Sequence, residues 1–381
     1  MEQQKKILLF ADWYEPGYKA GGPIRSCINF ARRMQENYQV YVFTSDRDLD
    51  STEPYTGVMI DQWITMTGGV KVFYCSPTRL SWKEIRQQLD AIQPDFIYLN
   101  SMFSMKFTIF PLLMGWLYRL NAKIILSPRG MLRTSAVQFK SLKKRIFFKY
   151  FRLLRLHRHI RFLASDDTEV NDVRRYFGRR AEVMKIPNFS ANLPDRPDIA
   201  TKKQGEVSMI YIGRVHPIKN TDYLLNVLKG VKADVLLTIV GSLEDKKFWQ
   251  SCEEIIAGLP SNILVKYAGE LPNQELPGIT AAHHIFVLPT RGENFGHAIF
   301  EALVLGKPVL ISDQTPWRDL TIVKAGWDLA LDQPALFVQV IEQVAAFDQE
   351  EYRSWSLATR EYVEAYMGKF NWIEEYKKLF S

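Results

Sequence analysis

A chain of 381 residues exceeds the roughly 250 to 300 at which single cores stop growing, so two domains are expected. With 47% hydrophobic and 24% charged residues the composition is globular, which excludes a disordered or fibrous chain. The three cysteines, Cys27, Cys75 and Cys252, lie far apart without CxxC spacing, which argues for reduced thiols and against a metal cluster.

The opening 1–6 is polar, and the apolar run 7–11 is too short for a signal-peptide core, so the chain is expected to stay in the cytoplasm. Short β-branched or aromatic runs then alternate with helical patterns, the mark of βαβ units and a parallel sheet. Strands are predicted at 6–12, 39–44, 70–76, 95–100, 123–127, 161–164 and 182–186. After the first of these, Gly21-Gly22 lacks side chains that would keep backbone from a ligand, and Pro23 opens a helix; a plain tight turn is the alternative. Asp46, Asp48 and Asp50 have the spacing of a divalent-ion site. They run on through Ser51, Thr52, Glu53 and Pro54 as a solvated loop does, and the loop is the preferred reading.

From Phe96 to Ser165 there are 14 Lys and Arg and no acidic residue; without this segment the net charge of +7 would become −7. Within 138–161, Phe139, Leu142, Ile146, Tyr150 and Leu153 recur at helical spacing among Lys140, Lys143, Lys144, Arg145, Lys149 and Arg152. Such a helix suits an anionic membrane surface or a lipid-diphosphate. Charge alone also admits nucleic acid, but no recognition motif accompanies it, so nucleic acid is not expected; a solvated face is the remaining alternative. The uncharged stretch 107–118 holds Pro111 and falls short of the roughly 18 to 20 residues that span a bilayer.

The prolines Pro187, Pro194 and Pro197 mark a stretch without periodicity, which sets domains at 1–190 and 205–350. Strands follow at 209–212, 234–240, 263–267, 285–288 and 308–312, a second doubly wound sheet. The stretch 351–381 carries Trp355, Tyr362, Tyr366, Phe370, Trp372, Tyr376 and Phe380, too aromatic for a solvated tail, and is predicted to cross back onto the first domain. Ligands of such sheets bind at the carboxyl ends of the strands, which puts the expected site in the cleft between the domains.

Two strand-to-helix junctions carry chemistry. Pro289-Thr290-Arg291-Gly292-Glu293-Asn294-Phe295-Gly296-His297 follows a buried strand and runs into a helix at 298–305, where free amides and the helix dipole suit a diphosphate. Glu293 lies in the loop and Glu301 on the helix, placed to accept from sugar or ribose hydroxyls. Gly213-Arg214-Val215-His216-Pro217-Ile218-Lys219-Asn220 brings a guanidinium fork and an ammonium that stabilise a diphosphate leaving group without a metal. His216 and His297 are expected to act by hydrogen bonding within these loops. The six histidines offer no metal cluster. Gln314-Thr315-Pro316-Trp317-Arg318 either edges the pocket or packs on its tryptophan.

Taken together, these motifs resemble the family 4 glycosyltransferases over nearly the whole chain. The resemblance implies the GT-B fold, two Rossmann-like doubly wound parallel-sheet domains facing across a cleft, with the acceptor on 1–190 and the nucleotide sugar on 205–350. It implies a retaining, metal-independent, hexosyltransferase-type transfer, with no cofactor, from a UDP- or GDP-sugar. The acceptor would be lipid-linked or a polysaccharide in capsule or O-antigen-type synthesis, at the inner face of the cytoplasmic membrane. Carried over by residue, Arg214 and Lys219 bind the donor diphosphate, Glu301 binds the ribose, and Glu293 with the backbone of Phe295 and Gly296 holds the sugar. Gly21 and Gly22 form a further donor-binding loop. Where many members carry a histidine after the fifth strand, this chain reads Ser127-Pro128-Arg129-Gly130, and Arg129 is the candidate for that role. A nucleotide-sugar epimerase or phosphorylase on the same fold, and a non-catalytic donor-binding subunit of a glycan synthesis complex, are the alternatives.

Overall fold

The computed structural model describes residues 4–133, 141–187, 199–369 and 371–381. The chain divides into two compact units, Met1–Phe189 with Asn371–Ser381, and Ser190–Phe370.

Unit one is built on an eight-stranded sheet of β1 (Lys6–Phe10), β2 (Gln39–Ser45), β3 (Trp63–Thr65), β4 (Lys71–Cys75), β5 (Phe96–Leu99), β6 (Lys123–Leu126), β7 (Ile160–Ala164) and β8 (Val183–Lys185). Their order is β3-β4-β2-β1-β5-β6-β7-β8, parallel except for β3 against β4. The central strands are continuous apolar runs, Ile7 to Phe10 and Phe96 to Leu99, because both sheet faces are covered. Covering them are α1 (Gly22–Met34), α2 (Trp82–Ile92), α3 (Phe110–Leu117), α4 (Ser141–Leu153) and α5 (Asp167–Phe177). Local chemistry sets the helix starts: Ser81 accepts from the Glu84 amide at the head of α2, and Asp166 from the Glu169 amide at the head of α5.

Unit two holds β9 (Glu206–Ile212), β10 (Asp234–Val240), β11 (Ile263–Tyr267), β12 (Ile285–Leu288), β13 (Val309–Ser312) and β14 (Gly326–Leu329), all parallel, in the order β11-β10-β9-β12-β13-β14. Its helices are α6 (Thr221–Leu228), α7 (Lys246–Ala257), α8 (Leu276–Ala281), α9 (His297–Val304), α10 (Pro334–Ala346) and α11 (Gln349–Gly368). In each sheet the strand order reverses once, between β1 and β5 in unit one and between β9 and β12 in unit two. Helices leave to opposite sides there, opening a crevice at the carboxyl ends of the strands.

The predicted strands form with ends moved by a few residues at most, and β3 and β14 are additional. The stretch 351–381 does not cross as one piece, which corrects the sequence reading. Helix α11 buries Tyr352, Trp355 and Val363 in the core of unit two, with Trp355 stacked on Trp327 at 4.3 Å. Asp348 caps α11 directly after α10, so the helix starts tethered to that sheet. Only 371–381 belongs to unit one, where α12 (Trp372–Leu379) buries Tyr376 and Leu379, with Phe380 beside Phe30, Tyr38 and Phe96. The basic helix predicted over 138–161 stops at Leu153, and a 3-10 turn Leu156–Arg158 follows behind a left-handed Arg155. Residues 138–140 of that prediction, and 188–198 of the predicted linker, lie outside the described residues.

Candidate active site

The crevice of unit two gathers both charged motifs. Beyond β9, residues 213–216 lead into a 3-10 turn Pro217–Lys219, and the Nδ1 of His216 accepts from the Ile218 amide at 3.2 Å, capping that turn. Lys219 Nζ donates to Glu293 Oε1 from the loop beyond β12, and the two side chains are only 16% and 14% exposed. Arg214 donates through Nη1 to both carboxylate oxygens of Glu244, each at 2.9 Å. Gly296 has φ of 78° at the head of α9, and no side chain caps the helix there. A Cβ at Gly296 would come within 2.8 Å of Ile299. Glu301 lies on the second turn of α9 and is half-buried.

The two loops are bound to one another by hydrogen bonds that the motifs did not reveal. The Arg291 amide donates to the Ile218 carbonyl at 2.8 Å and its Nε to Asn220 at 3.0 Å, while the Thr290 hydroxyl donates to Ile218 at 3.1 Å. Asn220 is buried and left-handed, φ 62°, between the 3-10 turn and α6. The Glu293 amide donates to the Gln314 carbonyl at 3.0 Å, so the segment after β13 fixes the glutamate loop. Trp317 is packed: 2% exposed, it donates its indole N–H to the Phe295 carbonyl at 2.6 Å and meets the Phe295 and Phe300 rings. Phe295 itself is buried, so only its backbone can serve a ligand. Glu244 is the residue sequence reasoning missed. It comes from the loop beyond β10, and no spacing within one motif could have linked it to Arg214.

Chemically, two cations and the positive end of a helix converge where a parallel sheet opens, each cation held by a carboxylate. Such a cradle suits an anion with several acceptor oxygens. The three cysteines are buried and free, and burial pushes each thiol up to about 12, so none is a nucleophile at neutral pH.

The crevice of unit one is a hydrogen-bonded brace. Gly21, φ 64°, precedes α1, which has no side-chain cap and no acidic residue in its first turn. Gly22 is the first residue of that helix. Asn100, beyond β5, donates to the Pro23 carbonyl at 3.4 Å and accepts from Arg129 Nε at 2.7 Å. Arg129 is left-handed, φ 53°, half-buried, and also donates to the Tyr98 phenol at 2.9 Å. Glu169 holds the same turn by accepting from the Gly130 amide at 2.6 Å. Asp12, directly beyond β1, accepts from Ser104 at 2.6 Å and Ser101 at 3.3 Å; burial raises its pKa, and those two hydroxyls oppose the rise. Asp48 accepts from the Tyr18 and Lys19 amides at 2.8 and 3.1 Å, which anchors the approach to the Gly21-Gly22 turn, and Asp46 pairs with Arg47.

The family model described as Glycosyltransferase Family 4 matches residues 20–189, and that described as Glycosyl transferases group 1 matches 206–346. The chain is 32% identical over 112 residues to the O-antigen chain mannosyltransferase B of Escherichia coli. It is 30% identical over 108 residues to an uncharacterized 41.2 kDa protein in the cps region of Klebsiella pneumoniae. Each match covers 28% of this chain and 28% of the relative. Among solved structures, it is similar to Alr3699/HepE of Anabaena in complex with UDP and glucose (TM-score 0.68, 15% identity, 98% of each chain). Sucrose-phosphate synthase of Thermosynechococcus elongatus gives a TM-score of 0.71 at 16% identity over 99% of each chain. WaaG, a glycosyltransferase involved in lipopolysaccharide biosynthesis, gives 0.62 at 15% over 94% of this chain and 95% of its own. At such identities these structures speak to the fold.

Proposed function

Because the chain belongs to the family 4 glycosyltransferases and has their GT-B fold, we propose that it is a retaining enzyme of cell-surface glycan assembly, moving a sugar from a UDP- or GDP-linked donor. The acceptor is a lipid-linked glycan or polysaccharide of the capsule or O-antigen type. The observation that carries this is the meeting of Lys219 with Glu293 in the unit-two crevice, beside Arg214 and the uncapped start of α9.

In this reading the donor diphosphate takes the place beside Lys219 and Arg214. Their charges and the helix dipole stabilise the leaving group as the glycosidic bond breaks. Glu293, released from Lys219, and the backbone of Phe295 and Gly296 hold the sugar; Glu301 takes the ribose. The departing phosphate assists the incoming hydroxyl, which keeps the anomeric configuration. Unit one takes the acceptor, and Arg129 acts by bracing Asn100 at its crevice. Protein cations carry the leaving-group charge, so EDTA leaves turnover intact; loss of activity with EDTA and its return with manganese would contradict this. Two relatives support the substrate class: HepE is described in complex with UDP and glucose, and the Escherichia coli relative is named an O-antigen chain mannosyltransferase.

The test is a panel of sugar nucleotides incubated with the enzyme, with and without lipid-linked acceptors. Acceptor-dependent release of nucleoside diphosphate supports transfer. Isomerisation without acceptor would replace it by an epimerase, and binding without turnover by a donor-binding subunit.

A further inference from the structure

Helix α4 packs by one face and, among the described residues, leaves another exposed. Phe148 and Phe151 are 4% and 2% exposed, with Phe148 stacked on Tyr176 of α5 at 4.5 Å and Phe151 against Phe177 at 5.2 Å. On the opposite side Ile146, Tyr150 and Leu153 are 49%, 58% and 68% exposed. They recur at i, i+4 and i+7, so they form one apolar stripe. Arg145, Lys149 and Arg152, each one residue earlier, make a parallel exposed basic stripe. An apolar ridge flanked by cations is the pattern of a helix lying in a bilayer interface, with the apolar side chains among acyl chains and the cations at headgroup level. Among the described residues no helix is long and apolar enough to cross a membrane.

A second feature lies on the neighbouring helix. Asn171, Arg174, Arg175 and Arg179 line a cavity of about 420 Å³. Arg175 lies over the Tyr176 ring, the same ring that stacks on Phe148 of α4, so the cavity begins one aromatic ring from the amphipathic helix. The acidic residues of α5 and its cap are mostly engaged elsewhere. Asp166 meets Arg133, Asp167 meets Lys185, and Glu169 holds the Gly130 and Ser165 amides. Asp172 interacts electrostatically with Arg133 and with Arg175. Guanidinium groups converging on a concave surface match the oxygens of a phosphate, which they grip by paired hydrogen bonds.

We propose that the α4–α5 face docks on an anionic bilayer, with Ile146, Tyr150 and Leu153 inserted and the Arg174–Arg175–Arg179 cavity closed on a lipid phosphate headgroup. This deepens the lipid-acceptor reading by naming the surface and the headgroup chemistry. Charge complementarity selects this occupant, since Arg145, Lys149 and Arg152 flank the apolar stripe of α4 and three of the four residues lining the cavity are arginines, the fourth being the neutral Asn171.

The experiment is co-sedimentation of the full chain with phosphatidylcholine vesicles carrying phosphatidic acid or phosphatidylglycerol at matched surface charge. The wild type should bind both at low salt and leave as salt rises, because exposed charges are screened over a Debye length of about 8 Å at physiological ionic strength. It should favour phosphatidic acid several-fold, since the arginine cavity reads a terminal phosphate. Replacing Arg174, Arg175 and Arg179 together by Ala should erase that preference while α4 still binds. Replacing Ile146, Tyr150 and Leu153 together by Ser should abolish retention on both vesicles. All six positions are exposed, and unchanged melting curves will show that the variants fold. The proposal is overturned if the wild type ignores both vesicles, or if the arginine variant keeps the preference. A dimer dissolved by the serine variant, or tighter binding to duplex RNA than to vesicles, would overturn it as well. Sugar transfer measured separately keeps the two claims apart: an enzyme that transfers sugar but ignores vesicles loses only this surface.

Discussion

Lys219 and Glu293 are each less than a fifth exposed, so removing one breaks an ion pair in surroundings that solvate charge poorly. Lys219→Ala should therefore weaken UDP or GDP binding by roughly 10- to 100-fold, the equivalent of about 1.5 to 3 kcal/mol for a charge-assisted contact, and lower the melting temperature too. Arg214→Ala, at a more exposed pair, should weaken binding with little change in melting. Titration calorimetry beside thermal melts separates these effects; unchanged affinity in both variants would remove the site. Two buried histidines supply a pH dependence. His284 Nδ1 accepts from the Ser208 amide and Nε2 faces the Thr201 carbonyl, while His283 lies between the Ile279 carbonyl and Thr238, an arrangement that fits neutral rings. Burial lowers both pKa values below 6.5, with Lys307 adding to the effect at each, Lys202 at His284 and Lys266 at His283, and Glu206 opposing at His284. The unfolded chain then takes up protons first as pH falls, so their contribution is complete above about pH 6.5 and is lost below it. Melting temperatures from pH 8 to 5 should fall from about 6.5 downward, and His284→Gln should flatten that fall. The charged residues were legible because each sits in a short motif after a strand. Glu244 was not, nor were the pairings of Gln314 and Asn220, because their partners come from other strands and the pairing exists only once the sheet has formed.

The element that shapes the crevice of unit two is the contact between the ends of β9 and β10. Gly241 has φ of 145°, and a Cβ there would lie 2.0 Å from the Gly213 carbonyl oxygen. Gly241→Ala must push the Arg214 loop away, at a cost of about 2 to 4 kcal/mol in stability and with weaker nucleotide binding. Urea unfolding and calorimetry on the same variant check both, and a neutral result would show that the approach is not tight. Long apolar runs such as β1 and β10 could be read from the sequence, since strands buried on both faces must be apolar. The edge strand β14 could not, because Gly326-Trp327-Asp328-Leu329 has neither alternation nor a β-branched run. It pairs by pressing Gly326 onto Val309, whose carbonyl oxygen would lie 2.1 Å from a Cβ. The end of the basic helix was hidden for a related reason: its apolar spacing continues past Leu153, and the left-handed Arg155 stops it.

Over the whole chain, two sheets were readable, but which unit owns the aromatic C-terminus was not. Aromatic density demands a core without saying which one; the Asp348 cap ties α11 to unit two, and the rings of Tyr376 and Phe380 find Phe30 and Phe96 in unit one. Deleting 371–381 removes Tyr376, Leu379 and Phe380, each at most 1% exposed and each worth about 2 to 5 kcal/mol on truncation. Unit one should then unfold at lower denaturant while the transition of unit two stays in place; coincident, unshifted transitions would contradict that ownership. The central claim is that the crevice of unit two binds the nucleoside-diphosphate donor, and hydrogen exchange of the full chain with and without UDP, GDP and their sugars tests it most directly. One of these ligands should protect amides within 213–219 and 292–299, where the cations and the start of α9 meet the diphosphate. Binding that leaves both segments unprotected, or protection confined to the Gly21-Gly22 turn of unit one, would contradict the account.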